Sequence, residues 1–288
     1  MTVVDTAFAG LKTNLEITTA EQNLASSRHV LIRDHIRDRW DLTEDFLTGS
    51  YDRHTKTKKL KDVDLFVVID PKGAQSGLSA GSGTEAVKQL ADIIRTKWSD
   101  VTTDDTVVTI SYAGEDVASY EIAPAFATTR GYKIPNGTGW METNPNIHAK
   151  MVTKKNSDCG GKFVPLVKMI KGINREHGEP ISPSFLIEVM ALDLVEPGLG
   201  KTLGRYQDEV RFFLAAATDT ATQNWPDPAG LGPDVNGSAT SWDRTQHQQA
   251  LTRWLAIAEE AVYLEGQGQD RAAVTKWKSL FGSRMPTV

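Results

Sequence analysis

Asp62 and Asp64 flank a single valine. An extended chain sends alternate side chains to the same face, so the two carboxylates can converge on a hard cation such as Mg²⁺. The chain then runs on as LFVVI, which places the pair at the opening of a buried strand, where acids need either water or a cation. Upstream, Gly49 permits a tight backbone turn close to a ligand, and Ser50 supplies a hydroxyl and an N–H for a phosphate oxygen. Thr55 stands between the two elements. Taken alone, Asp-Val-Asp is more often a solvated strand edge, and Gly-Ser more often a turn. The order helix, Gly-Ser, polar loop, then Asp-x-Asp opening an apolar strand is much rarer, and it points to a metal-assisted phosphate chemistry.

The elements that would hold these residues follow from periodicity. Residues 18–40 read as a helix, with Thr18 and Glu21 at capping-box spacing and Leu24, Leu31, Ile32 and Ile36 recurring near helical period, Trp40 continuing the stripe. VDLFVVI is a strand. Residues 71–83 form a loop whose Gly81-Ser82-Gly83 lacks the Gly-Lys-Ser/Thr ending of a phosphate loop, and 84–98 form a helix capped by Thr84 or Ser82. Residues 107–112 and 118–122 read as a hairpin turning at Gly114, with Pro124 ending its second strand. Residues 130–162 are rich in Gly, Pro and Asn and are expected to be irregular. Helices follow at 163–177 (Leu166, Val167, Ile170 and Ile173 on one face), at 182–195 (Ser182 as cap, Pro183 in the first helical position), and at 204–217. After a loop at 218–241 come helices at 243–263 and 269–281. The first half is thus mixed α/β and the second all helical.

Composition bounds the function. The 288 residues are 40% apolar and 24% charged, with a net charge of -5. That balance argues against a constitutive nucleic-acid binder, which needs a basic face. The basic run Lys56 to Lys61 reads first as solvated loop charge. No run approaches the roughly 20 apolar residues of a membrane span, and the N-terminus lacks the basic and apolar regions of a signal peptide. With Cys159 as its single cysteine the chain can form no internal disulfide, which fits the cytoplasm. Cys159 lacks a His or Cys partner and is given no role, while His54, in the loop beside Ser50, could touch substrate but reads first as a solvent-exposed histidine.

GSYDRHTKTKKLKDVDLFVVI resembles the Gly-Ser…Asp-x-Asp signature of the polymerase-β-like nucleotidyltransferases. Within them it is most similar to the cyclic-GMP-AMP-synthase/DncV-like branch, which includes the bacterial enzymes of cyclic-oligonucleotide anti-phage defence. The resemblance implies an α+β fold: a nucleotidyltransferase lobe with a mixed sheet and an N-terminal spine helix (1–155), and a helical lobe over the donor nucleotide (156–288), with the active site in the cleft between. SYEIAPAF matches the segment that carries the family's third carboxylate and puts Glu121 where the family usually has Asp; Asp116 is a nearby alternative. Asp62, Asp64 and Glu121 would then hold two ions, Mg²⁺ or Mn²⁺. LVKMIKGINREHGEPISPSFLIEVMAL resembles the helix–loop–helix of the helical lobe, which implies triphosphate contacts for Lys171 and Ser184 and base stacking for Phe185, with Lys168 a neighbouring candidate. Read without the resemblance, Phe185 is core, Ser184 a cap and Lys171 a solvated side chain. KWKSLFGSRMP resembles a closing motif that packs. The implied reaction joins nucleoside triphosphates (ATP, GTP or pyrimidine nucleotides) into a cyclic di- or oligonucleotide, with a regulatory protein as a possible partner and no membrane. Transfer to RNA ends or to protein, and an inactive nucleotide-binding relative, are the alternatives.

Overall fold

The computed structural model describes residues 2–198 and 202–287. In chain order its elements are α1 (Val3–Leu15), α2 (Thr19–Arg37), β1 (Leu42–Thr48), α3 (Gly49–Asp52), β2 (Leu60–Ile69), α4 (Gly83–Arg95), β3 (Val101–Thr103), β4 (Val108–Ser111), β5 (Val117–Thr128), β6 (Gly131–Asn136), β7 (Gly139–Thr143), α5 (Pro145–Asp158), α6 (Phe163–Glu176), α7 (Phe185–Leu194), α8 (Tyr206–Thr220), α9 (Ser241–Gly266) and α10 (Asp270–Phe281), with short 3₁₀ turns at Ser76–Ala80 and Gly282–Arg284. They form two compact units. One comprises Ile17–Ala149 with Ala229–Gly232, the other Met1–Glu16 with Lys150–Pro228 and Pro233–Val288.

The first unit is a mixed sheet of order β1-β2-β5-β4-β3, with β6 on β5 and β7 on β6. The β2–β5 pair is parallel and the others are antiparallel. Strand alternation divides β2 cleanly. Val63, Leu65, Val67 and Ile69 join a core with Ala25, Ile32 and Ile36 of α2 and Val87, Leu90, Ala91 and Ile94 of α4. Phe66 and Val68 face the other way, into a smaller cluster with Ala123, Ala125, Tyr132 and Ile134. Asp62 and Asp64 share that second face. The capping box of α2 forms as expected: the Thr18 hydroxyl accepts the Glu21 N–H at 3.1 Å. Glu21 also reaches the next layer, where its Oε1 accepts the Leu60 N–H at 3.0 Å and fixes the start of β2. Leu31, expected on the buried stripe of α2, is instead 53% exposed; Arg28 and His35 take the inward places beside Ala25, Ile32 and Ile36.

Two expectations for this unit are corrected. Pro124 does not end its strand, because β5 continues to Thr128. The β4 ladder stops at the Val108–Ile122 pair, so at Pro124 that edge of β5 has no ladder bond to lose. Residues 130–162 are not irregular. Gly137, at φ +59, turns the β6–β7 hairpin. Asn144 then caps α5, its Oδ1 accepting the Ile147 N–H at 3.2 Å, and Pro145 takes the first helical position. The Gly, Pro and Asn that read as irregular chain in composition are turn and cap residues in place.

The second unit is helical around one core. It includes α1, unassigned in the sequence reading, which a second capping box starts: the Thr2 hydroxyl accepts the Asp5 N–H at 3.1 Å. Val4, Ala7, Phe8, Leu11 and Leu15 form its buried stripe. Phe8 meets Trp277 edge-on at 5.1 Å and Phe281 at 5.8 Å, so the closing segment of the chain packs, as its resemblance implies. The inward face of α6 is the expected one. Ser182 and Pro183, however, lie outside α7, which starts at Phe185 with Ser184 in the N-cap position. Asn174 explains the late start. Its amide donates to the Ile181 carbonyl and its Oδ1 accepts the Ile181 N–H, both at 2.9 Å, clamping the chain before it can enter the helix. Among the described residues no helix is long and apolar enough to cross a membrane.

Candidate active site

The sheet brings the acids together. Asp64 pairs with Thr48 of β1 on one side and with Glu121 of β5 on the other, and Asp62 lies one pleat earlier, opposite Ser119. Since aligned positions of neighbouring strands project to one face, the carboxylates of Asp62, Asp64 and Glu121 converge. One oxygen from each lies within 4.8 Å of the others. Asp116 stays exposed in the β4–β5 turn and is not among them.

Gly49 closes this group from the β1 side. It adopts φ +64, and a Cβ built on it would lie 1.7 Å from Asp64 Oδ2. Only a residue without a side chain allows the backbone so near the carboxylate. Ser50 follows in α3 and is buried; its carbonyl accepts the N–H groups of Thr55 at 2.9 Å and Lys56 at 3.1 Å. Thr55 is fully buried. These bonds fold the polar loop back onto the turn. They also correct one expectation, because Lys56 is no solvated loop charge: it is 9% exposed, with its Nζ 2.7 Å from Asp62 Oδ2. His54 is exposed, as expected.

The electrostatics of the triplet fit a cation. The Glu121 carboxyl is pushed up to about 7, first by burial and then by the charges of Asp64 and Asp62, with Lys56 pulling the other way. Three hard oxygen donors with an excess of negative charge form a donor set suited to Mg²⁺ or Mn²⁺. A consequence is measurable without substrate. A carboxyl with a folded-state pKa above its ordinary 4.5 binds a proton more tightly in the folded chain, so stability falls as pH rises from about 4.5 through about 7. In the presence of a chelator, Glu121→Gln is therefore expected to melt above the parent by a margin that widens from pH 5 to pH 8. After allowance for screening in a half-open site the gain is of order 1 kcal/mol, or about 2 °C. A margin that does not change with pH contradicts the assignment.

In the helical unit, Ser184 is exposed at the start of α7 and Phe185 is half-buried against the core. Lys171 is not a solvated side chain. Its Nζ lies 2.9 Å from Glu188 Oε1, with the two side chains 10% and 1% exposed. Lys168 pairs with Glu16 at 2.6 Å. Removing one partner of a buried pair costs far more than the pair is worth, so Lys171→Met is expected to lower unfolding free energy by about 3 kcal/mol in urea melts. Unchanged stability would contradict a structural duty for this pair.

Residues 1–156 match the model of the Second Messenger Oligonucleotide or Dinucleotide Synthetase (SMODS) domain. The chain belongs to this family. It is accordingly a cyclic-GMP-AMP-synthase/DncV-like nucleotidyltransferase, an oligonucleotide synthase by class. A probable cyclic nucleotide synthase of Bacillus cereus (strain VD146) is 26% identical to it over 83% of this chain and 81% of that protein. The cyclic AMP-AMP-AMP synthase of Acinetobacter sp. (strain ATCC 27244 / 9458) is 22% identical over 97% of this chain and 84% of that protein. The fold is shared with CdnC of E. coli MS115-1, a structure solved with ATP, at a TM-score of 0.73 and 17% identity, covering 99% of each chain. As a SMODS protein, this chain has the polymerase-β-like sheet that the Asp-x-Asp segment implied.

Sequence reasoning missed Lys56. The signal available was its position, six residues before Asp62 in a loop that must return to the Gly49 turn. A lysine in such a loop is ordinarily solvated, whereas here the Ser50 carbonyl, accepting the Thr55 and Lys56 N–H groups, folds the loop inward.

Proposed function

We propose that this chain joins nucleoside triphosphates into a cyclic di- or oligonucleotide and releases one pyrophosphate per bond, with Asp62, Asp64 and Glu121 holding two divalent ions, Mg²⁺ or Mn²⁺. The convergence of these three carboxylates on one face of β2 and β5, with Gly49 pressed against Asp64, is the observation that carries the reading. Bound there, the ions would neutralise charge at the triphosphate and polarise the attacking hydroxyl. The chain's residues do the rest. Glu121, on the neighbouring strand, completes a rigid donor set that needs no rearrangement of backbone. Ser50, buried in the α3 turn next to Gly49, binds a phosphate oxygen of the donor and holds its α-phosphorus in line with an acceptor ribose hydroxyl. In each transfer an oxygen–phosphorus bond forms at that centre as the bond to the β-phosphate breaks.

For the helical unit, the resemblance of the segment around Lys171 assigns Ser184 to the donor triphosphate and Phe185 to its base. Lys171 shares that assignment by position, although its ammonium also serves Glu188. Substrates of this kind are cytoplasmic, and a cytoplasmic chain fits a product that acts as a second messenger in anti-phage defence. ATP is a supported donor candidate because the CdnC structure was solved with it.

Incubation with α-labelled nucleoside triphosphates and Mg²⁺ or Mn²⁺, followed by phosphatase, tests the reading. A small, phosphatase-resistant labelled product is expected. Label that appears only on added RNA or on protein would replace the cyclase reading with transfer to a macromolecule.

A further inference from the structure

We propose that Lys56 is a tethered counter-ion, which pairs with Asp62 of the carboxylate triplet in the nucleotide-free protein and weakens the triplet's hold on divalent metal until a triphosphate offers the ammonium another partner. The inference rests on the reading of Asp62, Asp64 and Glu121 as metal ligands.

The geometry points this way in three respects. First, the Lys56 Nζ stands 2.7 Å from Asp62 Oδ2, and Asp62 is one of the three acids whose oxygens converge. A divalent ion bonded at about 2.1 Å to the carboxylate oxygen that Lys56 contacts would lie within about 5 Å of the ammonium, where two positive charges repel strongly in a partly buried setting. Second, the root of the side chain is fixed. The Lys56 N–H donates to the Ser50 carbonyl at 3.1 Å, and the residue is 9% exposed, whereas Lys58 and Lys59 farther along the same loop are exposed. The inward turn of Lys56 is therefore a property of the loop and not of a basic run at large. Third, the stem is flexible while its anchor is rigid. A lysine can swing its ammonium by several ångströms without moving the backbone, so it can leave Asp62 for a phosphate oxygen next to Ser50. Metal and nucleotide would then load together, and the nucleotide-free enzyme would hold metal poorly.

Mn²⁺ titration of the full chain without nucleotide, read by the loss of the free-ion electron paramagnetic resonance signal, tests the proposal. Lys56→Met is expected to bind Mn²⁺ at least about tenfold more tightly than the parent, and Lys56→Arg, which keeps the charge, to stay within about threefold of it. Lys56→Gln, which keeps a polar head, serves where the methionine variant fails to fold by circular dichroism, with the same tightening expected. Equal or weaker binding by the neutral variants overturns the proposal and makes Lys56 a support for Asp62. Absence of Mn²⁺ binding by parent and variants alike, at millimolar ion, overturns the metal reading itself and the proposal with it.

Discussion

Replacing Asp62 and Asp64 together with asparagine is expected to reduce nucleotide transfer by at least about a thousandfold while the protein stays folded. The double change keeps the shape of both side chains on β2 and removes the two charges that converge with Glu121. Those charges raise the Glu121 pKa, so their loss relieves the folded chain. The variant should melt within a few degrees of the parent in chelator, although Lys56 loses its partner at Asp62. Pyrophosphate release measured beside a circular-dichroism melt separates the two effects. A double variant that retains parental activity would remove Asp62 and Asp64 from the chemistry, whatever the family.

The second large effect is expected at Gly49. A methyl group there would meet Asp64 Oδ2 at 1.7 Å and Cγ at 2.4 Å, on a backbone at φ +64. Gly49→Ala must therefore move either the α3 turn or the Asp64 carboxylate, and a shift of about an ångström at a positioned ligand is enough for a hundredfold loss of rate. Gly114→Ala provides the control. Gly114 has φ +79 and nothing within 4 Å of its added Cβ, so it carries the same backbone penalty without the collision. Both variants should lose about 1 kcal/mol or more of stability, and only Gly49→Ala should lose activity. Equal activity of the two would mean that the closeness of Gly49 to Asp64 has no catalytic use.

What could be read from the sequence divides along a physical line. Local rules carried the Thr18–Glu21 capping box, the shared face of Asp62 and Asp64, and the buried face of α6, since each depends on residues a few positions apart. Glu121 required the match of its Pro124 context to a family, because nothing local says which strand lies beside β2; the Asp64–Glu121 pairing is a fact of sheet topology. Composition misled where single residues had defined jobs. Gly137 is a hairpin turn and Asn144 a helix cap, not signs of irregular chain. Leu31 satisfied helical period in general but sits on the outer side, where the inward register passes through Arg28, Ile32 and His35. The partners of Lys56 and Lys171 are the least local facts of all. Each lysine looked solvated because its acid, Asp62 or Glu188, is brought to it only when a loop or a helix pair folds back.

The two units therefore differ in how firmly sequence assigns their roles. In the sheet unit a resemblance, a register and a collision distance agree on the same carboxylates. In the helical unit Ser184 and Phe185 rest on the resemblance, and Lys171 carries a competing structural duty that the urea melts of its methionine variant will weigh.

The central claim, that the chain closes a ring of nucleotides, is tested most directly by the ratio of pyrophosphate released to nucleotide incorporated, with mass spectrometry of the product formed from all four triphosphates and Mg²⁺ or Mn²⁺. Ring closure consumes every triphosphate, so a ratio of one pyrophosphate per nucleotide and a mass without terminal phosphates are predicted. A ratio below one, with a product that keeps its 5′-triphosphate, would contradict cyclisation.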